Sequence, residues 1–318
     1  PLLIAMSEVA IEENGDALKA LGWLDLAEKK SSKQSKIEIL RGLAYRKLGD
    51  ASKSYLAYQD ALKKDPGSVR AHYLLAKIFI AQKNPDVYME HLMKVMELDF
   101  NYAPVLKELY DHYYYRDVQK AKYYLTRYIA NTDYSLQNEY SLTDMLYLTG
   151  EYKEAISAAR QILQKENDKA QPRLYKLIAY SLAGAGDSLQ ATGYMNNYFE
   201  KEDTQKLIAA DYRFMAQLTA RDTSKISSTI HYYINAAMRD TISSKRAADA
   251  SALAGLYKKT GDFASQAEWL GKLYQWKDKT NNIDLFNWGL AWYMANNYPA
   301  TDSVFSLYTT RYPQDIFG

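Results

Sequence analysis

Residues 35–68 read SKIEILRGLAYRKLGDASKSYLAYQDALKKDPGS, two runs of helix-forming residues on either side of a Gly49-Asp50 pair. Glycine can take the left-handed backbone conformation that ends a helix. Aspartate can accept hydrogen bonds from the free amide groups that begin the next helix. The stretch therefore predicts two helices joined by a tight turn.

The same glycine-acid pair recurs along the chain, at Gly15-Asp16, Gly49-Asp50, Gly150-Glu151, Gly186-Asp187 and Gly261-Asp262. The separations correspond to one, three, one and two units of roughly 34–37 residues, a period that indicates a repeat protein. Between the pairs, apolar residues recur at helical spacing, as at Ala155, Ile156, Ala159, Ile162 and Leu163. Alternating segments, which would indicate strands, are absent from the sequence.

The residues around the turns resemble tetratricopeptide (TPR) repeats, in which small residues, large aromatics and a proline occupy set positions. The second repeat carries Gly42, Tyr45, Ser54, Tyr58, Ala61 and Pro66, and the last carries Leu285, Trp288, Gly289, Trp292, Phe305, Tyr308 and Pro313. A small residue such as Gly42 or Ala254 would let the helices of a hairpin approach closely. Large residues such as Tyr58 and Trp292 would fill the space between hairpins.

The resemblance implies an all-α, right-handed α-solenoid of about nine TPR-like helix-turn-helix repeats. It covers residues 1–318 as a single superhelical domain, with repeats that start near residues 1, 35, 69, 103, 136, 171, 208, 247 and 281. The pattern is weakest in the fourth and seventh repeats, where we expect a different helix length or a kink. In the seventh repeat, residues 221–224 replace the glycine-acid turn.

Composition excludes several classes of function. The 318 residues are 47% hydrophobic and 25% charged, with a net charge of +2 and no cysteine. This balance gives no electrostatic reason to bind nucleic acid, and no apolar run approaches the roughly 20 residues of a membrane span.

The sequence starts at Pro1 and ends with residues 313–318, which look like the entry to a further element, so we expect it to be part of a longer chain. The tyrosine-rich composition favours a periplasmic or membrane-anchored parent, and a cytoplasmic one remains open.

No residue pattern indicates a catalytic, cofactor or metal site. The four histidines, His72, His91, His112 and His231, lack metal-ligand spacing. We expect His112 to be a partly buried, hydrogen-bonded residue. Residues 184–187 (GAGD) are predicted to form an inter-helix turn rather than a phosphate-binding loop, and Glu12-Glu13 a solvated helix end.

Tyrosine is the compositional outlier, with 30 residues. Many occupy packing positions of the repeat. Tyr113, Tyr114 and Tyr115 are consecutive, so they cannot all face one side of a helix, and at least one is expected to reach the surface.

In the family, ligands bind in a concave groove lined by the first helix of each repeat, so the resemblance places a partner-binding groove in repeats three to seven. The residues at the corresponding positions are Tyr73, Lys77, Lys107, Asp111, Tyr114, Tyr140, Asp144, Tyr147, Lys176, Tyr180, Arg213 and Gln217. A groove that mixes tyrosine with charged residues suits a peptide or an extended protein segment. The expected function is therefore a non-catalytic protein-binding scaffold, testable by charge reversal at Lys107 and Lys176.

The family's lysine-asparagine clamp for a terminal carboxylate is not predicted. Lys107 holds a matching place, but Asp111 and Ser141 stand where the clamp has asparagines, and Asp111 would repel a carboxylate.

Other functions stay open. The chain could be the sensory or regulatory domain of a larger protein. It could also bind a small molecule or glycan through the tyrosines near residues 110–115, if they line a closed pocket. RNA binding ranks lower, because Asp111 and Asp144 interrupt any basic stripe. The sequence does not identify the partner, and it leaves a homo-oligomer open.

Overall fold

The computed structural model describes residues 1–13, 15–30 and 33–315. Within these ranges the chain forms 18 α-helices, two single-turn 3-10 helices and no strand. In chain order, α1–α18 span Leu2–Glu12, Ala17–Lys30, Ser35–Lys47, Ala51–Lys64, Val69–Ala81, Pro85–Leu98, Ala103–Tyr113, Val118–Ala130, Leu136–Leu148, Tyr152–Glu166, Arg173–Gly184, Ser188–Lys201, Ala209–Thr219, Ile226–Arg239, Ser243–Thr260, Phe263–Trp276, Asn282–Met294 and Tyr298–Arg311. The predicted all-α helical-repeat fold is confirmed. Residues 316–318, part of the segment expected to lead into a further element, lie outside the described residues.

The chain packs as two compact units, Pro1–Thr149 and Gly150–Gly318. In the first unit, each odd-numbered helix from α1 to α7 packs on the even-numbered helix that follows it; in the second, α11–α12, α13–α14, α15–α16 and α17–α18 pair in the same way. Short connections make the helices of a pair antiparallel. The division of the whole chain into repeats of one domain remains a prediction.

Packing within each unit is local along the chain. Helices in extensive contact are consecutive or, as with α1 and α3, two apart. One apolar cluster includes Leu24, Leu40, Tyr58 and Leu75, and it draws its residues from α1 to α5. Another, around Leu92, Leu106 and Leu109, begins at α5. The cores are therefore a series of clusters between neighbours, as expected of a repeat array.

Small residues allow the close helix contacts that the sequence predicts. A Cβ atom on Gly42 would overlap the ring of Tyr58, which is fully buried. In the second unit, a Cβ on Gly289 would lie 3.0 Å from the Phe305 ring, and one on Gly271 would lie 2.9 Å from Trp288. These glycines are required for the distance between helices, not for their backbone conformation.

Four of the five glycine-acid turns contain a glycine in the predicted left-handed conformation. Gly49, Gly150, Gly186 and Gly261 have φ angles of 77° to 90°. Asp50, Asp187 and Asp262 each accept a hydrogen bond from a backbone amide that opens the next helix. At the fifth turn, Asp16 accepts from the amides of Leu18 and Lys19 at 2.9 and 3.2 Å, as predicted. A Cβ on Gly15 would lie 2.9 Å from the backbone of Ala10, so close packing also requires glycine there.

Two turns use the same left-handed geometry without glycine. Lys83 and Asn296 have φ angles of 55° and 57° and precede the capping residues Asn84 and Asn297.

The seventh repeat, expected to be irregular, has an 11-residue α13 followed by a 3-10 helix at Thr223–Lys225. The 18-residue α15 begins at Ser243, four residues before the predicted repeat start. None of the described helices combines the length and apolar character needed to span a lipid bilayer.

Candidate functional site

The predicted partner-binding residues lie on odd-numbered helices, apart from Tyr114, which directly follows α7. In the first unit the helices are α5, α7 and α9, and in the second they are α11 and α13. Most are half-buried; Asp111 and Gln217 are exposed. Tyr140 is only 2% exposed, which makes it a packing residue with no free ring face for a partner.

In the first unit, both predicted lysines are paired with carboxylates. The Lys77 ammonium lies 2.6 Å from a carboxylate oxygen of Glu108, on the next first helix along the chain. This hydrogen bond with Glu108 raises the pKa of Lys77, against the opposing effect of partial burial. Lys107 contacts both carboxylate oxygens of Asp111, one helical turn away, at 2.6 Å. These contacts leave neutral ion pairs on α5 and α7.

The same helices present aromatic rings that pack on one another. Tyr73 meets Tyr102 edge to face, with ring centroids 5.6 Å apart. Tyr110 meets Tyr114 in the same geometry at 5.7 Å. Burial raises the pKa of Tyr110 to about 12, so its hydroxyl remains protonated at physiological pH. Tyr115 is 91% exposed, which confirms that one of the three consecutive tyrosines reaches the surface.

Lys107, Asp111 and Ser141, which stand at the positions of the family's carboxylate clamp, make contacts within the chain. The ammonium of Lys107 is held by Asp111 and lies 5.1 Å from the centre of the Tyr110 ring. Ser141 hydrogen-bonds the Tyr110 hydroxyl. A ligand carboxylate at Lys107 would have to displace Asp111, which already occupies the lysine.

In the second unit, Lys176 on α11 reaches Asp211 on α13 at 2.5 Å. Asp211 is fully buried and also accepts hydrogen bonds from the Ile208 amide at 3.1 Å and the Tyr198 hydroxyl at 3.2 Å. Burial, together with the neighbouring Asp211 charge, raises the pKa of Tyr198. The aspartate therefore caps α13 and joins it to the preceding first helix.

Arg213 forms a second tie of this kind. Its guanidinium donates to both carboxylate oxygens of Asp249 on α15, at 2.7 and 2.6 Å, and to Asp240 at 2.7 Å. Bidentate arginine-carboxylate pairs are among the strongest ionic contacts in proteins. Beside this pair, Tyr180 stacks on Phe214, with ring centroids 3.9 Å apart.

These ion pairs were not predicted from the sequence, which indicated the cations only as contacts for a partner. A signal for them existed. Glu108, Asp211 and Asp249 follow their cations by 31, 35 and 36 residues, about one repeat. In a repeat array, residues one period apart lie on neighbouring helices, so a cation and an acid at this spacing indicate a tie between repeats.

The remaining candidates have the structural roles expected of them. His112 is half-buried, and its Nδ1 lies 2.6 Å from the Tyr88 hydroxyl. Gly186 and Asp187 form the turn that opens α12. Glu12 and Glu13 are exposed at the end of α1. Within residues 1–13, 15–30 and 33–315, no three histidine or acidic residues converge as a metal-binding group.

No family model and no curated protein sequence matches this chain. Many solved structures do. The predicted resemblance to TPR proteins is confirmed at the level of the fold. A structure of Naa15/Naa10 bound to HypK-THB aligns with 98% of this chain and 58% of its own, at a TM-score of 0.54 and 11% identity.

Two bacterial structures are also similar to this TPR-like chain. A tetratricopeptide repeat protein from Parabacteroides merdae aligns with 74% of this chain and 91% of its own, at a TM-score of 0.42 and 13% identity. The C-terminal part of a TPR repeat-containing protein from Cytophaga hutchinsonii aligns with 89% of this chain and 98% of its own, at a TM-score of 0.46 and 14% identity. At these identities, the similarity concerns the fold alone.

Proposed function

We propose that the chain is a non-catalytic scaffold that binds a peptide or protein segment on its first helices. The observation that carries the proposal is the combination of half-buried tyrosines and paired charges on α5 and α7, around Tyr73, Lys77 and Lys107. Because the cations are already neutralised, this surface does not select for strongly acidic ligands. It suits a segment that contributes apolar contacts and hydrogen bonds.

The proposed binding surface in the second unit is formed by Lys176, Tyr180, Arg213 and Gln217. Lys176 and Arg213 hold buried carboxylates there, so their main effect is to fix the positions of α11 and α13. Gln217 is exposed and would contact the partner directly, beside the Tyr180 ring that stacks on Phe214. Rigid helices hold such a surface in place before binding, which lowers the entropic cost of association.

The charge-reversal test suggested by the sequence needs a different choice of residues. A glutamate at position 176 would lie beside the buried Asp211, and the variant would lose stability for reasons unrelated to binding. Lys107 and Asp111 are both partly solvent-accessible, so their charges can be exchanged while a local ion pair is kept. The variant Lys107→Asp with Asp111→Lys reverses the local field with little effect on folding.

The experiment first identifies a partner by using the wild-type chain as bait in extracts of the native organism, with mass spectrometry. The purified partner is then titrated against the wild type and the exchanged variant. We expect affinity to fall about tenfold, because the exchange swaps the positions of the hydrogen-bond donor and acceptor that the partner would meet on α7. The matched control exchanges Lys63 and Asp60, an exposed pair on the second helix α4. Equal affinity for all three proteins would place binding elsewhere.

A further inference from the structure

Two histidines of the first unit face each other across the α5–α6 pair. His72 lies on α5 and His91 on α6, and their Nδ1 atoms are 3.0 Å apart. The ring centroids are 5.3 Å apart. Both side chains are half-buried and line a surface cleft of about 530 Å³, together with Glu90, Lys94 and Glu97.

The hydrogen bonds determine which nitrogens carry protons. His72 Nε2 lies 3.2 Å from the carbonyl oxygen of Pro66. A carbonyl oxygen can only accept, so Nε2 carries the proton and the Nδ1 of His72 presents its lone pair. His91 must then donate its Nδ1 proton to that lone pair.

The Pro66 carbonyl is itself held in place. The turn that contains it is closed by a bond of 3.1 Å from the Ser68 amide to the Asp65 carbonyl. The Gly67 amide also donates to the Asp65 side chain at 3.1 Å. His72 is thus oriented by a fixed backbone acceptor, the outer contact that metal-binding histidines usually make.

We propose that His72 and His91 chelate a divalent transition-metal ion of the zinc type through their two Nδ1 atoms. Zinc-nitrogen bonds of about 2.0–2.1 Å at a tetrahedral angle place two ligand nitrogens about 3.3 Å apart. The observed separation of 3.0 Å is therefore close to that of a bound pair. Small ring rotations would turn both lone pairs toward a common ion.

Metal binding would leave the number of protons on the two imidazole rings, and so their charge, unchanged. On binding, the Nδ1 proton of His91 leaves, and Nε2 of the same ring takes up a proton from solvent. Both imidazoles remain neutral, as metal ligands must be.

The protein would supply two ligands and leave the other coordination positions open. Glu90 adds a negative charge to the cleft, whereas the Glu97 carboxylate is paired with the Lys94 ammonium at 2.8 Å. Water oxygens can complete the zinc coordination. The histidines are 19 residues apart in the chain, a spacing without a ligand motif, so the sequence analysis predicts no metal there. The pairing arises only from the packing of α5 on α6.

The other two histidines provide internal controls, because neither contacts a second imidazole. His112 bonds the Tyr88 hydroxyl through Nδ1. His231 is exposed on α14, in the second unit, and is near the side chain of Asn235. The variant His231→Gln therefore removes an imidazole without touching the proposed site.

The test is a calorimetric titration of the full chain with Zn²⁺ alone at neutral pH. We expect one ion per chain, and at least about tenfold weaker binding in His72→Gln and in His91→Gln, with His231→Gln unchanged. Circular dichroism verifies that each variant is folded. Binding that is undiminished in both variants would overturn the proposal, as would its absence in the wild type.

A second measurement does not depend on variants. In ¹⁵N spectra of the wild-type histidine rings, zinc should shift the Nδ1 signals of His72 and His91 and leave those of His112 in place. Shifts confined to His112 or His231 would contradict the proposed site even if the calorimetry showed binding.

Discussion

Gly42 lies against the fully buried ring of Tyr58, and no space remains there for a methyl group. Alanine favours a helix over glycine by about 1 kcal/mol. Forcing a methyl group into a packed contact costs about 1–3 kcal/mol. We therefore expect Gly42→Ala to lower the free energy of unfolding, measured by urea denaturation.

The control for this substitution is Gly22→Ala in α2. A Cβ at Gly22 would meet no atom within 4 Å, so only the helix preference applies, and the free energy of unfolding should rise by about 0.5–1 kcal/mol. Changes of the same sign in the two variants would show that packing against Tyr58 is not what requires Gly42.

A left-handed turn could be predicted from the sequence only where glycine occupies it. The left-handed turns at Gly49, Gly186 and Gly261 follow from the conformational freedom of glycine. Lys83 adopts the same conformation, but lysine gives no indication of it in sequence. The recognisable signal in that turn is the capping residue Asn84, whose side chain accepts from the Val87 amide.

Between elements, the ion pair of Lys176 and Asp211 joins α11 to α13. Asp211→Asn keeps the shape of the side chain and an acceptor for the Ile208 amide, but it removes the charge that faces Lys176. Hydrogen bonds to charged groups contribute about 1.5–3 kcal/mol. We expect a loss of this size in the free energy of unfolding, measured by chemical denaturation.

The matched control is Asp111→Asn, which removes the same charge from a solvent-accessible pair. The side chains of Lys107 and Asp111 are 41% and 52% exposed, so water and salt screen their attraction. Such pairs contribute about 0–1 kcal/mol. If both substitutions changed stability equally, burial of Asp211 would not explain the strength of its contacts.

Helix positions were predictable from the sequence, and the contacts between helices were only partly so. Apolar spacing and the glycine-acid turns indicate where helices begin and end, because those signals are local. The burial of Asp211 and of Tyr140 depends on which helices lie on either side of them. The polar residues of the predicted binding surface were therefore identified correctly as residues on the first helices, but their engagement with neighbouring carboxylates was not.

At the scale of a whole unit, local packing predicts local loss of stability. Leu285 is fully buried in α17, the first helix of the last pair, in a cluster with Val304 and Tyr308. Leu285→Ala removes buried methyl groups and leaves a cavity, at a cost of about 2–5 kcal/mol. In a repeat array this cost falls on the altered pair and its immediate neighbour.

Amide hydrogen exchange measures where that stability is lost. Protection in α17 and α18 should fall most in Leu285→Ala, and α16, which packs on α17, should follow. Helices α11 and α12 should keep wild-type protection, because they share no extensive contact with the last pair. A uniform decrease from α11 to α18 would mean that the second unit unfolds as one cooperative block. The fixed surface proposed on α11 and α13 would then depend on packing at the far end of the unit.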